Sequence, residues 1–139
     1  MTLNDELAVL RSIPLFSAIK PETLRLLAFA STRVIFQSGQ SLFSEGDQSS
    51  SAYILLSGAA TIHQEIDGQK RVIEVVAPHG IVGQTALFCS KPRQVSVTAN
   101  STVEALMISK DSFQELMSCC PNTLSKILSE LGERLSLAS

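Results

Sequence analysis

The segment Gly83-Gln84-Thr85-Ala86-Leu87-Phe88-Cys89-Ser90-Lys91-Pro92-Arg93 decides how the rest of the chain is read. A glycine opens a short run of helix-compatible residues, and an arginine follows a proline at the far end. Free N–H groups at the head of a helical turn point outward with partial positive charge, which suits a phosphate. A guanidinium fixed beside them adds a full charge and a two-pronged donor. Apart from Lys91 the segment holds no other basic residue, so the expected guest is a small anion with one phosphate, not a polyanion.

On both sides of this segment the hydrophobic pattern has the period of strands. Val34 and Phe36 fall on the face opposite Arg33 and Gln37; Ile62, Gln64 and Ile66 oppose Thr61, His63 and Glu65; Val95 and Val97 alternate with Ser96 and Thr98. Turn signals separate the runs at Ser38-Gly39, Glu45-Gly46-Asp47, Ser57-Gly58, Asp67-Gly68 and His79-Gly80. Many short strands with regular turns predict an antiparallel jelly-roll β-barrel. Ser49-Ser50-Ser51, the one low-complexity spot, reads as a loop tip.

Helical periods frame the strands. Leu3, Leu7 and Leu10 predict an opening helix, and Pro21 with Leu24, Leu27 and Ala28 a second. From Ser109 the period is helical again: Ser109 or Asp111 can cap, and Phe113, Leu116 and Met117 line one side. Cys120-Pro121 ends that helix, and Leu124, Leu128, Leu131 and Leu135 form a short seam of coiled-coil type. The seam predicts either packing on the chain's own barrel or a homodimer through the C-terminal helix. The whole reads as one mainly β domain over 1–139, with helices over 1–30, the barrel over 31–109 (the phosphate segment at 83–95) and helices over 110–139.

A net charge of −2 and a pI near 5.6 argue against a nucleic-acid surface, which needs a basic stripe. The acidic start lacks a signal-peptide pattern, and apolar runs such as Leu26 to Ala30 and Ala52 to Leu56 are far too short to span a membrane. A cytoplasmic location is expected. Cys89, Cys119 and Cys120 have no metal spacing, and the adjacent pair is poorly placed to bridge, so ordinary thiols are the expectation; redox sensing by Cys89 is the alternative. His63 and His79 stand at no metal or catalytic spacing, and no catalytic constellation is present, which predicts a non-enzyme.

The segment from Gly83 to Arg93 resembles the phosphate-binding cassette of the cyclic-nucleotide-binding domain, a family that includes the catabolite activator protein, kinase regulatory subunits and cyclic-nucleotide-gated channels. The resemblance extends through Gly39, Glu45-Gly46-Asp47, Tyr53-Ile54-Leu55, Ser57-Gly58, the Asp67-Gly68 hairpin and the helices after Ser109. It implies a regulatory domain with cyclic AMP or cyclic GMP as ligand and no further cofactor. The ligand-binding residues it implies are Gly83, Gln84, Thr85, Ala86, Leu87, Arg93, Gln94 and Val95. Leu87 reads independently as core, while Val75, Val76 and Ile62 read as core or as an apolar bed for a base. The family usually has Phe-Gly-Glu where this chain has Val82-Gly83-Gln84, and a small residue then alanine where Gln94 and Val95 stand. The family glutamate accepts from the ribose 2′-hydroxyl; Gln84 can accept the same bond without charge. Binding is then expected to move the last helix over the base. The catabolite-activator branch adds a DNA-binding helix-turn-helix beyond this point, and this sequence has none, so no direct nucleic-acid contact is expected. The alternative is a degenerate member serving as an interaction or dimerisation module.

Overall fold

In the computed structural model of the chain, residues 3–17 and 19–118 are described. Helix α1 (Leu3–Ser12) leads through a 3₁₀ turn at Pro14–Phe16 to α2 (Pro21–Ala30), with Pro21 in the first turn, where its missing N–H costs nothing. Eight strands follow: β1 (Thr32–Phe36), β2 (Ser41–Phe43), β3 (Ser51–Ser57), β4 (Ala60–Ile66), β5 (Gln69–Val76), β6 (Ile81–Val82), β7 (Ser96–Ala99) and β8 (Val103–Ser109). A 3₁₀ turn at Gln84–Leu87 lies between β6 and β7, and α3 (Lys110–Met117) follows β8. Ser109 caps α3 by accepting from the Ser112 N–H at 3.1 Å. The leucine seam, Cys119 and Cys120 lie outside the described residues.

The strands form two antiparallel four-stranded sheets, in the orders β1-β8-β3-β6 and β2-β7-β4-β5. The expected barrel is therefore jelly-roll-like but not closed: two sheets face one another, and among the described residues no ladder joins their edges. The two central strands of the first sheet, β3 and β8, are buried on both faces. Leu55, Val103 and Ala105 face the second sheet, packing with Leu42, Ile62, Val82 and Val97. Ala52, Ile54, Leu56, Leu106 and Ile108 face the helices, packing with Leu10, Leu24, Leu27, Phe16 and Phe113. The apolar run Ala52–Leu56 thus serves two cores at once, the pattern of a strand covered on both faces.

The β4–β5 hairpin closes in two residues, with Ile66 paired to Gln69 and both Asp67 (φ 54) and Gly68 (φ 78) left-handed, as a type I′ turn requires. At the edge of its sheet, β5 leaves Val72, Ile73 and Val75 exposed, with Lys70 and Arg71 as edge charges. Among the described residues no helix is long and apolar enough to cross a membrane.

Candidate ligand site

Gly83 is the hinge on which the site is built. It sits at φ 72, caps the 3₁₀ turn, and a Cβ there would meet Arg93 Nη1 at 2.5 Å and the Phe43 ring at 3.1 Å. Only a residue without a side chain permits both the left-handed backbone and the close approach. The following turn has an open head. Its Ala86 N–H donates to the Gly83 carbonyl at 3.1 Å.

Arg93 is brought to Gly83 by its main chain. Its N–H donates to the Asp47 carbonyl at 2.8 Å, and its carbonyl accepts from the Gly46 N–H at 2.9 Å. The Glu45-Gly46-Asp47 turn therefore clamps the arginine backbone, and the Ser44 N–H to Asp47 Oδ2 bond (2.9 Å) fixes that turn. The residue is only 6% exposed, so its charge is not a solvated one. Its Nη2 donates to the Ser51 carbonyl at 2.5 Å and its Nη1 to the Gly83 carbonyl at 3.4 Å. The guanidinium carbon lies 3.9 Å from the centre of the Phe43 ring. Neither Glu74 nor Glu104 pairs with it; Glu104 holds Arg33 at 3.1 Å, and among the described residues Arg93 makes no ion pair. Burial pulls its pKa below the ordinary value, against opposing pulls from Tyr53 and Asp47.

Among the described residues, two buried side-chain polar atoms have no hydrogen-bond partner within the protein: Arg93 Nε and Gln84 Oε1. Gln84 is 7% exposed, so it is no plain surface residue. One orphan is a charged donor, the other a neutral acceptor.

The remaining expected site residues divide. Thr85 stays half-buried in the turn, its carbonyl accepting from Phe88, Cys89 and the Cys89 thiol. Leu87 belongs to the helical core and Val95 to the inter-sheet core. The Gln94 side chain is exposed, while its carbonyl accepts from Gln64 Nε2 at 3.1 Å, tying β4 to the end of the cassette. Of the candidate apolar bed, Ile62 and Val76 are core, but Val75 is 57% exposed, because its register partner Thr61 faces away from the second core.

Two residues at the site escaped the sequence reading. Ser51, read as part of a loop tip, begins β3, is buried and receives the guanidinium on its carbonyl. A backbone acceptor leaves no mark on residue identity, so no signal could have found it. Phe43 was findable: an aromatic residue just ahead of the Glu45-Gly46-Asp47 turn is the nearest π face to whatever that turn clamps. Two clefts elsewhere, about 510 Å³ beside Asp5, Ser12 and His79 and about 310 Å³ beside Phe29 and Arg33, contain none of these groups.

The two antiparallel sheets, with α1 and α2 before them and α3 after, hold the buried Arg93 against the Gly83 turn. The cyclic nucleotide-binding domain model matches residues 33–119, and the chain belongs to that family. It is 25% identical over 128 residues to the CRP-like cAMP-activated global transcriptional regulator of Mycobacterium tuberculosis, covering 91% of this chain and 57% of the relative. To the cAMP-dependent protein kinase regulatory subunit of Emericella nidulans it is 30% identical over 132 residues, covering 95% of this chain and 31% of the relative. The chain thus spans less than two thirds of either relative. Among solved structures, the cyclic nucleotide-binding-like protein of Brucella abortus superposes with a TM-score of 0.74 at 33% identity, covering 82% of this chain and 98% of that one.

Proposed function

We propose that this chain is a regulatory domain that binds a 3′,5′-cyclic nucleotide, cyclic AMP or cyclic GMP, with the phosphate at Gly83 and Arg93 and the ribose at Gln84. One observation carries the reading: the two orphaned polar atoms are of opposite sense and stand on the two residues that bracket the cassette. A buried unpaired polar group costs roughly 1–3 kcal/mol, so a guest that satisfies both recovers that cost on binding. The guest must offer an anionic oxygen to Arg93 and a hydroxyl donor to Gln84. A cyclic nucleotide with a free 2′-hydroxyl carries both within one ring system.

The signal leaves through α3. Gln114 Nε2 donates to the Leu87 carbonyl at 3.3 Å, Lys110 Nζ bonds Ser90 Oγ, and the Phe88 and Phe113 rings meet edge to face at 5.4 Å. A cassette that tightens on phosphate pulls these contacts, and the helical end follows as a population shift between two arrangements. Titration with labelled cyclic AMP and cyclic GMP tests the binding; saturable binding that Arg93→Ala removes supports it, and no binding of either refutes it.

A second reading, a non-binding member that serves as an interaction module, is favoured by one observation. The guanidinium already donates to Ser51 and Gly83, so it has a structural use of its own. That reading predicts loss of stability, and no change in nucleotide response, on replacing Arg93.

A further inference from the structure

A buried cation normally needs a carboxylate beside it, because desolvating a charge costs several kcal/mol. Arg93 is buried and has no ion-pair partner among the described residues. What lies against its flat face is the Phe43 ring, 3.9 Å from the guanidinium carbon. That ring is itself fixed: it is 6% exposed and stacks on Tyr53 at 6.3 Å, and Tyr53 meets Phe36 edge-on at 5.8 Å. On the cassette side Gly83 leaves no slack, since even a methyl group there would strike both the ring and the guanidinium.

We infer that Phe43 is a positioning residue for the anion site, its negative ring face holding the Arg93 guanidinium; this rests on the nucleotide-binding reading. The Asp47 carboxylate acts on the guanidinium only from beyond ion-pair distance. The arrangement has a consequence for affinity. A carboxylate counter-ion would compete with the incoming phosphate for the same N–H donors. A ring face takes the flat side of the guanidinium and accepts no conventional hydrogen bond at its edge, leaving Nε uncommitted. Leu42 and Phe43 enter the core together, so a plain truncation of the ring would confuse packing with charge.

The test therefore keeps the shape and drains the ring: the phenylalanine at position 43 is replaced by its mono-, di- and trifluoro analogues. Cyclic AMP and cyclic GMP affinities are measured for each, together with the melting temperature of the ligand-free protein in the Arg93 and Arg93→Met backgrounds. A cation held by a π face predicts a stepwise fall in affinity with each fluorine, reaching about threefold to thirtyfold. Melting temperature falls in step with Arg93 and stays flat with Arg93→Met. Affinity unchanged across the series overturns the inference, and so does a melting temperature that falls equally in both backgrounds, which would mean packing alone. Should the unsubstituted protein bind neither nucleotide, the proposed function fails by itself. The melting series then decides whether the ring holds the guanidinium: a stepwise fall confined to the Arg93 background upholds the pairing, and a flat series overturns it.

Discussion

Arg93 carries a full positive charge into a buried place where, among the described residues, its Nε has no protein acceptor, and Gln84 presents an oxygen with no protein donor. Removing the guanidinium with Arg93→Ala should cost roughly 2–5 kcal/mol of nucleotide affinity, the range for truncating one partner of a buried charge pair. An unchanged titration curve would exclude the cassette as the binding site. Gln84→Glu isolates the main departure from the family pattern. A charged acceptor exceeds a neutral one by about 1 kcal/mol, so binding of a nucleotide with a free 2′-hydroxyl should strengthen by that amount, and the 2′-deoxy analogue should gain nothing. Equal responses from the two ligands would mean that Gln84 does not meet the ribose. Gly83→Ala tests the hinge: a left-handed alanine costs roughly 1–2 kcal/mol, and its methyl would press on Nη1 of Arg93, so stability and affinity should fall together. Equilibrium unfolding beside a titration measures both; a variant as stable as wild type contradicts the packing described.

At the scale of elements, most of the architecture was legible and the reasons differ. Helices α1 and α2 followed from apolar spacing and from Pro21, and the Asp67-Gly68 hairpin from the need for two left-handed residues. Arg93 and Gly83 could be paired because the cassette pattern fixes their separation. Burial of Gln84 was not legible, since the same amide would suit an exposed turn; only the tertiary fold leaves it 7% exposed. Ser49-Ser50-Ser51 misled because serine content says loop, whereas the ladder with β8 makes Ser51 a strand residue. On β4, the imidazole of His63, 2.9 Å from Thr98 Oγ1, is held below its ordinary pKa of 6.5, chiefly by burial and then by Lys70, with Glu45 opposing. The unfolded chain then takes up the proton more readily than the folded one. The contribution of His63 is intact above its unfolded pKa and is lost as pH falls through that value towards the folded one. Unfolding followed between about pH 8 and about pH 5 should show a larger loss for wild type than for His63→Gln. Parallel curves would remove His63 from the account.

For the whole molecule, the two cores assign two jobs. The inter-sheet core holds Phe43, Val82 and Val95, with Phe43 against Arg93 of the proposed anion site, and the helical core holds Leu87, Phe16 and Phe113, through which cassette and helices touch. Phe113 joins them physically, lying 6.1 Å from Phe16 and 5.4 Å from Phe88 between ring centres. A nucleotide that binds the folded chain alone should, at a hundred times Kd, raise stability by about 2.7 kcal/mol. The measurement that bears most directly on the central claim is calorimetric titration of wild type and Arg93→Ala with cyclic AMP and cyclic GMP. Saturable one-site binding by wild type, lost or weakened by at least about thirtyfold in the variant, is the predicted result. No heat with either nucleotide, or equal affinity in both proteins, would contradict it.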